Sequence, residues 1–393
     1  MTNKGNPIIS CHACDQTALT AVPGYTDLRR VTSDCRPWPA GSRLCVCAAC
    51  GWVQQALDAD WQRETEAIYR GYEIYHQSEG VEQAVFDPDT GAAAARSERL
   101  LRAVWTHLNL PAHGRLLDIG CGNGSLLAYC HRIAPQWKLV GNELGDQHRA
   151  RVEALPGVEA FCSGAATEAH GHFDLLTMNH VLEHIPHPAQ FLRGLCGKLR
   201  PGGALVVQVP NLLRNPFDLL VADHASHMLP AGLARLMTDA GFAVELLAED
   251  WLPKEITVIA RAADAPPTAP SPDPAAVLDF VTACVEWLTA LRAGAREAAA
   301  GGSLGLFGTS IAGTWLFGEL GEAVGFFVDE DRSRIGKTHL GRPILSPAQV
   351  PAGSHVYLAL PPAVAEAVAR HEAVRNGGAT YHLPPPQPVW AAP

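Results

Sequence analysis

The chain has 393 residues, 47% hydrophobic and 18% charged, so it can bury more than one core and does not resemble a disordered protein. Its formal net charge of −10 argues against a nucleic-acid or anionic-membrane partner. The sequence has no uninterrupted run of about 18 apolar residues and no apolar leader, so we expect a cytoplasmic protein without a membrane span. In that compartment its 11 cysteines would be thiols or metal ligands.

The N-terminal region contains two C-x-x-C pairs, Cys11 with Cys14 and Cys47 with Cys50. Each pair turns two thiolates towards one point, so the four sulfurs can hold a structural Zn²⁺ tetrahedrally, with no position left for catalysis. Cys45 could replace Cys47 as a ligand. A small region with little core would depend on the ion for folding. Buried free thiols and a redox pair are the alternatives.

Short apolar stretches then alternate with amphipathic ones over residues 115–262. A helix, RSERLLRAVWTHL, precedes the strand candidates RLLDIG, WKLVGNE, FDLLTMN, GALVVQVP and AVELLAE. This alternation predicts a parallel, doubly wound α/β sheet. The proline-rich segment 263–275 predicts a linker, because proline at this density disfavours both helix and central strand.

The segment after the linker predicts a second, smaller Rossmann-like α/β domain. A long helix, AVLDFVTACVEWLTALRAGAREAA, leads to the strands SLGLFG, AVGFFVD and HVYLALP, with a turn-rich stretch, GKTHLGRPIL, before the last of them. The predicted domains are a zinc-binding region (1–80), an α/β core (81–262), the linker (263–275) and the C-terminal domain (276–393).

A glycine-rich loop, L-L-D-I-G-C-G-N-G, ends the first strand of the predicted core. Gly120, Gly122 and Gly124 would let the backbone turn sharply and lie against a ligand, with Asp118 just before them. The spacing differs from the dinucleotide fingerprint G-x-G-x-x-G. Glu143 ends the next strand, where a carboxylate can accept both hydroxyls of a ribose. Without these acids, the loop could be only a tight strand–helix turn.

These motifs resemble those of the class I S-adenosylmethionine-dependent methyltransferases, as does L-R-P-G-G at 199–203. The resemblance implies that the three glycines hold the methionine portion of the cofactor and that Glu143 holds its ribose. It also implies that Asp118 supports the loop through hydrogen bonds. No acid matches the adenine-side position, near which Cys162 and Ser163 lie.

The order of the predicted domains resembles that of sugar C-methyltransferases, which act on nucleotide-linked 4-keto-deoxysugars. C-A-A-C-G-W-V-Q at 47–54 is similar to their second zinc knuckle. F-V-D-E-D followed by G-R-P-I-L-S-P at 341–347 is similar to their C-terminal domain. The resemblance extends over nearly the whole chain and implies a nucleotide-linked sugar as the small-molecule partner.

Two further motifs of that family imply the catalytic positions. N-H-V-L-E-H-I-P matches N-x-V-L-x-H-x-P, which places His184 in the active site and Asn179 beside the cofactor. A-D-H-A-S-H-M can be aligned with H-E-H-L-S-Y-F, which places His224 on the second histidine and Asp223 on the glutamate. A Y-x-S-S-like context implies Tyr75.

These residue types suit methylation of a carbon next to a ketone, which requires removal of a proton and stabilisation of an enolate. Either histidine could be the base, and a tyrosine or the other histidine could donate to the oxyanion. Asp223 could orient one imidazole. His184 could instead cap its helix or bond a carbonyl group. His180, His187 and His227 are expected at the surface or in supporting positions.

Several positions depart from the sugar-methyltransferase pattern. Val221, Ala222 and His227 replace a tyrosine, a histidine and a tyrosine, and L-P-K-E-I-T-V stands in place of H-G-G-S-L-R. An O-methyltransferase acting on a hydroxylated metabolite therefore stays open. So do a non-catalytic scaffold on the same fold and a zinc-ribbon nucleic-acid binder. In the C-terminal domain, Gly308 and Asp329 resemble half of a nucleotide site, for which we favour a packing or substrate-positioning role.

Overall fold

The computed structural model describes residues 10–71, 84–86, 93–370 and 378–390. The N-terminal part of this structure is built from short strands and one helix. Its elements are β1 (Leu19–Ala21), β2 (Arg30–Val31), β3 (Pro37–Trp38), β4 (Leu44–Cys47), β5 (Val53–Gln55), α1 (Ala59–Arg70), β6 (Ala84–Phe86) and β7 (Ala93–Ala95). Helix α1 begins where the Asp58 carboxylate accepts hydrogen bonds from the first backbone N–H groups of the helix.

A seven-stranded sheet with helices on both faces forms the centre. Its part of the chain comprises α2 (Arg96–His107), β8 (Arg115–Ile119), α3 (Ser125–Ile133), β9 (Lys138–Glu143), α4 (Arg149–Glu153), β10 (Val158–Ser163), β11 (Phe173–Asn179), α5 (Pro188–Cys196), β12 (Leu199–Pro210), β13 (Ser226–His227), α6 (Pro230–Asp239), β14 (Phe242–Ala248) and β15 (Glu255–Ala262). The strand order is β10-β9-β8-β11-β12-β15-β14. Apolar side chains of α2 and α3 pack on one face, and those of α5 and α6 on the other. This is the Rossmann-like α/β core expected from the alternation of apolar segments.

The sheet differs from the expected parallel one at one edge. Strand β15 runs antiparallel to both β12 and β14. The connection between β14 and β15 is short, and a short connection can join only antiparallel neighbours. Strand β10, which contains Cys162 and Ser163, pairs in parallel with β9.

The C-terminal part forms a six-stranded sheet. Its elements are α7 (Pro274–Ala300), β16 (Leu304–Phe307), α8 (Ile311–Leu320), β17 (Val324–Val328), β18 (Thr338–His339), β19 (Arg342–Leu345), β20 (His355–Leu358), α9 (Pro362–Arg370) and β21 (Thr380–His382). The order is β18-β19-β17-β16-β20-β21. The stretch GKTHLGRPIL contains a hairpin, β18–β19, whose turn residues Leu340 and Gly341 have positive φ.

One apolar core joins the two ends of the chain. It includes Tyr25 and Val46 from the N-terminal part, Leu288 of α7 and Trp315 of α8, all at most 1% exposed. The N-terminal part therefore shares a substantial core, contrary to the expectation of a region with little core. Its folding need not depend on a metal alone.

Helix α7 passes through this shared core. Its most apolar 18-residue window has a mean hydropathy of 1.4, so among the described helices it is the one long and apolar enough to cross a membrane. The sequence did not indicate this helix as a candidate span, because charged residues such as Asp279 and Glu286 interrupt its apolar run. Of that window, 44% is buried inside the structure. Core helices of globular proteins share this length and composition.

Candidate active site

The glycine loop lies at the carboxyl end of β8, the middle strand of the parallel part of the sheet. Gly120, Gly122 and Gly124 all have positive φ, between 52° and 84°. At Gly120 a Cβ atom would lie 2.3 Å from Cγ2 of Val181, so glycine is required by packing as well as by conformation. The Gly122 N–H donates to Oε1 of Glu143 over 2.8 Å, which ties the loop to the end of β9.

The other residues predicted to contact the cofactor lie around this loop. Asp118 is buried and accepts a hydrogen bond of 2.7 Å from the hydroxyl of Thr177 on β11. Asn179 ends β11, the strand beside β8. Ser163 pairs with Glu143 across β10 and β9, and Cys162 precedes Ser163, so these two residues lie beside the end of β9. These strand ends meet at one edge of the sheet, where doubly wound folds bind ligands.

A buried carboxylate holds two histidines of the segment 222–228. Oδ1 of Asp218 lies 2.9 Å from Nδ1 of His224, and Oδ2 lies 2.8 Å from Nδ1 of His227. Because an ionised carboxylate can only accept, both rings carry their proton on Nδ1 when neutral and present a lone pair on Nε2. Asp218, His224 and His227 are each at most 5% exposed. His227 is therefore a buried supporting residue and lies away from the surface.

His184 lies against this cluster. The rings of His184 and His224 are 4.7 Å apart between centroids and almost perpendicular, at 87°. Nδ1 of His184 is 3.0 Å from the backbone oxygen of Asp223 and 3.1 Å from the Tyr69 hydroxyl. A carbonyl oxygen can only accept, so Nδ1 of His184 carries the proton.

Asp223, which was predicted to orient one imidazole, faces Ser33 and His184. Its carboxylate accepts hydrogen bonds from the backbone N–H and the hydroxyl of Ser33, at 2.8 and 2.6 Å. Oδ2 also lies 3.4 Å from Nδ1 of His184, so the imidazole that Asp223 contacts is that of His184. Ala222 and Asp223 lie in a turn just before β13, so Asp223 and His224 face different partners. Tyr75 lies outside the described residues.

The environment sets the protonation of these groups. Burial and the neighbouring His224 lower the pKa of His184, so its imidazole stays neutral. Burial acts in the same direction on His224, but the Asp218 carboxylate outweighs it and raises the pKa of His224. Although burial alone would raise it, the pKa of Asp218 is held well below its usual range by the two imidazoles. The pair combines an ionised carboxylate with a histidine made more basic.

A second acidic group borders the same site. Glu183 is 1% exposed, and its Oε1 lies 3.1 Å from Nδ1 of His180. The other ring nitrogen of His180 is 3.1 Å from Glu255 and 2.8 Å from Arg96. Burial opposes the charge on His180, but Glu255 and Glu183 outweigh it and raise the pKa of His180 to about 9. His180 thus takes part in a charged network, whereas His187 is exposed.

The four cysteines of the two C-x-x-C pairs come together, and their Sγ atoms all lie within 4.8 Å of one another. Sγ atoms of Cys11 and Cys50 are 3.6 Å apart, and those of Cys14 and Cys47 are 3.7 Å apart. Tetrahedral Zn–S bonds of about 2.3 Å place sulfurs about 3.8 Å apart, so the set fits Zn²⁺. Cys47, and not Cys45, belongs to the group. The Cys11 thiol hydrogen bond lowers the pKa of Cys50 to about 6.

The cysteine region is joined directly to the histidine segment. Strand β13, which is Ser226–His227, pairs with β5 and completes the sheet β1-β4-β5-β13. The indole N–H of Trp52 donates to the Ser226 hydroxyl over 3.0 Å, and Gln55 lies 3.4 Å from Nε2 of His227. The N-terminal region therefore fixes the position of the histidine segment.

In the C-terminal sheet, Asp329, whose position resembles that of a ribose-binding carboxylate, already has partners within the protein. Asp329 accepts a hydrogen bond of 2.6 Å from Thr309 and lies 3.7 Å from Arg334. These contacts are consistent with the packing role that we favoured.

A methyltransferase-domain family model matches residues 92–247, which contain the glycine loop and His184. The ubiquinone biosynthesis O-methyltransferase of Xanthomonas axonopodis pv. citri is 30% identical over 172 residues, covering 36% of this chain and 69% of that protein. The chain belongs to the S-adenosylmethionine-dependent methyltransferases.

Two further methyltransferases show the range of the similarity. The trans-aconitate 2-methyltransferase of Deinococcus radiodurans is 35% identical over 119 residues, covering 30% of this chain and 42% of that protein. The human N-acetylserotonin methyltransferase, solved with S-adenosylmethionine, is 19% identical with a TM-score of 0.36 and covers 41% and 51% of the two chains. The methyltransferase assignment removes the non-catalytic alternative. S-adenosylmethionine is the cofactor.

The structure brings three residues to the candidate site that were not predicted from the sequence, Asp218, Tyr69 and Glu183. Asp218 is the one acid in the apolar stretch N-P-F-D-L-L-V, a signal that could have identified it. Glu183 stands beside His184 in the motif but was not singled out. No sequence pattern connects Tyr69 with a histidine 115 positions later.

Proposed function

We propose that this methyltransferase methylates a carbon next to the ketone of a nucleotide-linked keto-sugar. The observation that supports it is the pair formed by Asp218 and His224, with the neutral ring of His184 at right angles to it. A carboxylate-held imidazole with a free Nε2 is a suitable general base for an acidic C–H group. The acceptor is accordingly a small molecule.

The chain's residues divide the work of the reaction. Nε2 of His224 takes the proton from the carbon, and the electrons of the C–H bond pass into the enolate. Tyr69, whose hydroxyl lies 3.1 Å from Nδ1 of His184, would donate a hydrogen bond to the enolate oxygen, and Tyr75, outside the described residues, is a second candidate donor. When bound, S-adenosylmethionine would supply an electrophilic methyl group, so that the enolate carbon would form a C–C bond as the S–CH₃ bond breaks and the thioether is released. Asp218 balances the charge of the imidazolium.

For cofactor binding we propose the residues at the sheet edge. Glu143 would accept the ribose hydroxyls, and the glycine loop and Asn179 would contact the methionine portion. Oδ1 of Asn179 is buried and has no hydrogen-bond partner within the described residues, so a ligand amine could satisfy it. Leu144 follows Glu143 with 77% of its surface exposed, and it could cover one face of the adenine.

We also propose a structural Zn²⁺ on the four cysteines. The sulfur spacing supports this, and a cation would offset the repulsion between the four thiolates that bind it. Because β5 pairs with β13, the ion would stabilise the strand that carries His227. The ion would then support catalysis through structure alone.

O-methylation of a hydroxylated small molecule is the second candidate. It is favoured by the Xanthomonas relative, whose name describes an O-methyltransferase. In this alternative His224 would remove a hydroxyl proton, and no enolate would form. The sugar C-methyltransferase resemblance and the three-part order of the chain favour the first candidate.

Solvent deuterium exchange separates the two candidates. A nucleotide-linked 4-keto-sugar is incubated in D₂O with the enzyme and the demethylated cofactor, which cannot donate a methyl group. We expect the hydrogen next to the ketone to exchange faster than without enzyme, because His224 can remove it reversibly. Proton NMR follows the loss of the signal.

Two variants accompany this exchange measurement. His224→Gln should abolish the enzyme-dependent exchange, whereas His187→Gln, at an exposed position, should leave it unchanged. Methyl transfer without any exchange would favour O-methylation over the proposed carbon chemistry.

A further inference from the structure

Glu183, His184 and His224 bring three potential ligand atoms to one place. One such atom from each residue lies within 4.8 Å of the others. The two imidazoles use Nδ1 for hydrogen bonds, and within the described residues no bond reaches either Nε2. The Oε1 atom of Glu183 contacts His180, whereas its Oε2 is buried and has no hydrogen-bond partner among the described residues. Each of the three clustered residues therefore has one unbonded atom that carries a lone pair.

Each of these three side chains has a supporting contact at an atom other than the unbonded one, as the side chains of metal ligands usually do. Nδ1 of His184 donates to the backbone oxygen of Asp223, and Nδ1 of His224 donates to Asp218. Oε1 of Glu183 contacts His180. A carbonyl or carboxylate on the far nitrogen fixes the tautomer that leaves Nε2 free for an ion. The supporting contacts therefore orient both imidazoles for binding.

The buried Oε2 of Glu183 gives an independent indication of a ligand. A carboxylate oxygen removed from water without a partner is destabilising, and most buried polar atoms have one. Glu183 is 1% exposed, so bulk water does not satisfy the atom. A cation shared with the two imidazoles would satisfy it.

We propose that Glu183, His184 and His224 bind a divalent transition-metal ion through two imidazole nitrogens and one carboxylate oxygen. Two histidines and one carboxylate suit ions such as Co²⁺, Fe²⁺ or Zn²⁺ and leave further coordination positions open. The functional consequence rests on the proposed function: a bound ion occupies the Nε2 lone pair that His224 needs as a base. Metal binding and proton removal at this atom exclude each other, so a bound ion inhibits methyl transfer.

Co²⁺ titration tests the site, starting from protein whose four-cysteine site is filled and whose metal content has been measured. We expect about one equivalent to give visible ligand-field bands without the near-ultraviolet charge transfer of thiolate ligands. Glu183→Gln should weaken binding by more than about 100-fold, beyond the effect of changing a supporting residue. Glu168→Gln, at an exposed position, is the matched control and should bind as the wild type.

Anomalous diffraction from Co²⁺-soaked crystals locates the ion even if Glu183→Gln fails to fold. A peak between the three side chains supports the site. The absence of both bands and peak overturns it. Deuterium exchange and methyl transfer are measured on the same samples, and both should fall in proportion to occupancy. Activation by the ion would overturn the inhibition and the base assigned to His224 while leaving the site in place.

Discussion

Replacing Asp218 with asparagine is expected to lower the rate of methyl transfer by about 10³- to 10⁴-fold. The carboxylate accepts the Nδ1 proton of His224, and an amide in its place can present N–H to the ring and favour the wrong tautomer. His224 would then lose both its free Nε2 lone pair and the negative charge that raises its pKa. Initial rates measured with saturating cofactor and acceptor give the change in kcat.

Two companion variants separate this effect from loss of structure. Removing one partner from a buried ion pair destabilises a protein by about 3–5 kcal/mol, so thermal unfolding and cofactor affinity are measured for each variant. His227→Gln removes the other partner of the same carboxylate and should retain most of the rate. Asp264→Asn, at an exposed position, should behave as the wild type. A folded Asp218→Asn enzyme with normal kcat would show that Asp218 does not position the base.

Replacing Glu143 with alanine is expected to weaken S-adenosylmethionine binding by about 10²- to 10³-fold, the value of one or two hydrogen bonds to a charged acceptor. The same change removes the bond from the Gly122 N–H, so the glycine loop loses its tie to β9. Isothermal titration calorimetry measures the Kd directly. At saturating cofactor kcat should recover substantially, because Glu143 does not touch the reacting carbon.

Glu366→Ala serves as the matched control, since this exposed residue lies on α9 in the C-terminal part of the chain. Cofactor affinity unchanged in Glu143→Ala would place the ribose elsewhere. In that case the assignment of the sheet edge to the cofactor would have to be revised.

The central sheet was readable from the sequence because its strands are buried on both faces. Strands β8, β9, β11 and β12 appear as short apolar runs, and the glycine loop follows the first of them. Strand β15 was missed because it begins with Glu255, a charge that reads as a loop. That carboxylate lies 3.1 Å from His180, 75 positions earlier, and 3.5 Å from Arg96, and no local pattern shows these pairings.

The cluster of Asp218, His184 and His224 could be predicted only in part, for the same reason. His184 and His224 came from motifs, and the fold does bring their rings together. Their partners depend on side-chain direction, which sequence adjacency does not give. Asp223 is next to His224 but faces Ser33, while Asp218, six positions away, reaches the imidazole. The buried Oε2 of Glu183 is likewise visible only in three dimensions.

The most direct test of the account is the position of the transferred methyl group. S-adenosylmethionine with a ¹³C-labelled methyl is incubated with the enzyme and a panel of nucleotide-linked 4-keto and hydroxy sugars, and the products are examined by ¹³C NMR. The account predicts a labelled signal in the aliphatic region with a 4-keto-sugar, and loss of that signal in Asp218→Asn. A signal in the methoxy region would contradict carbon methylation and establish the enzyme as an O-methyltransferase.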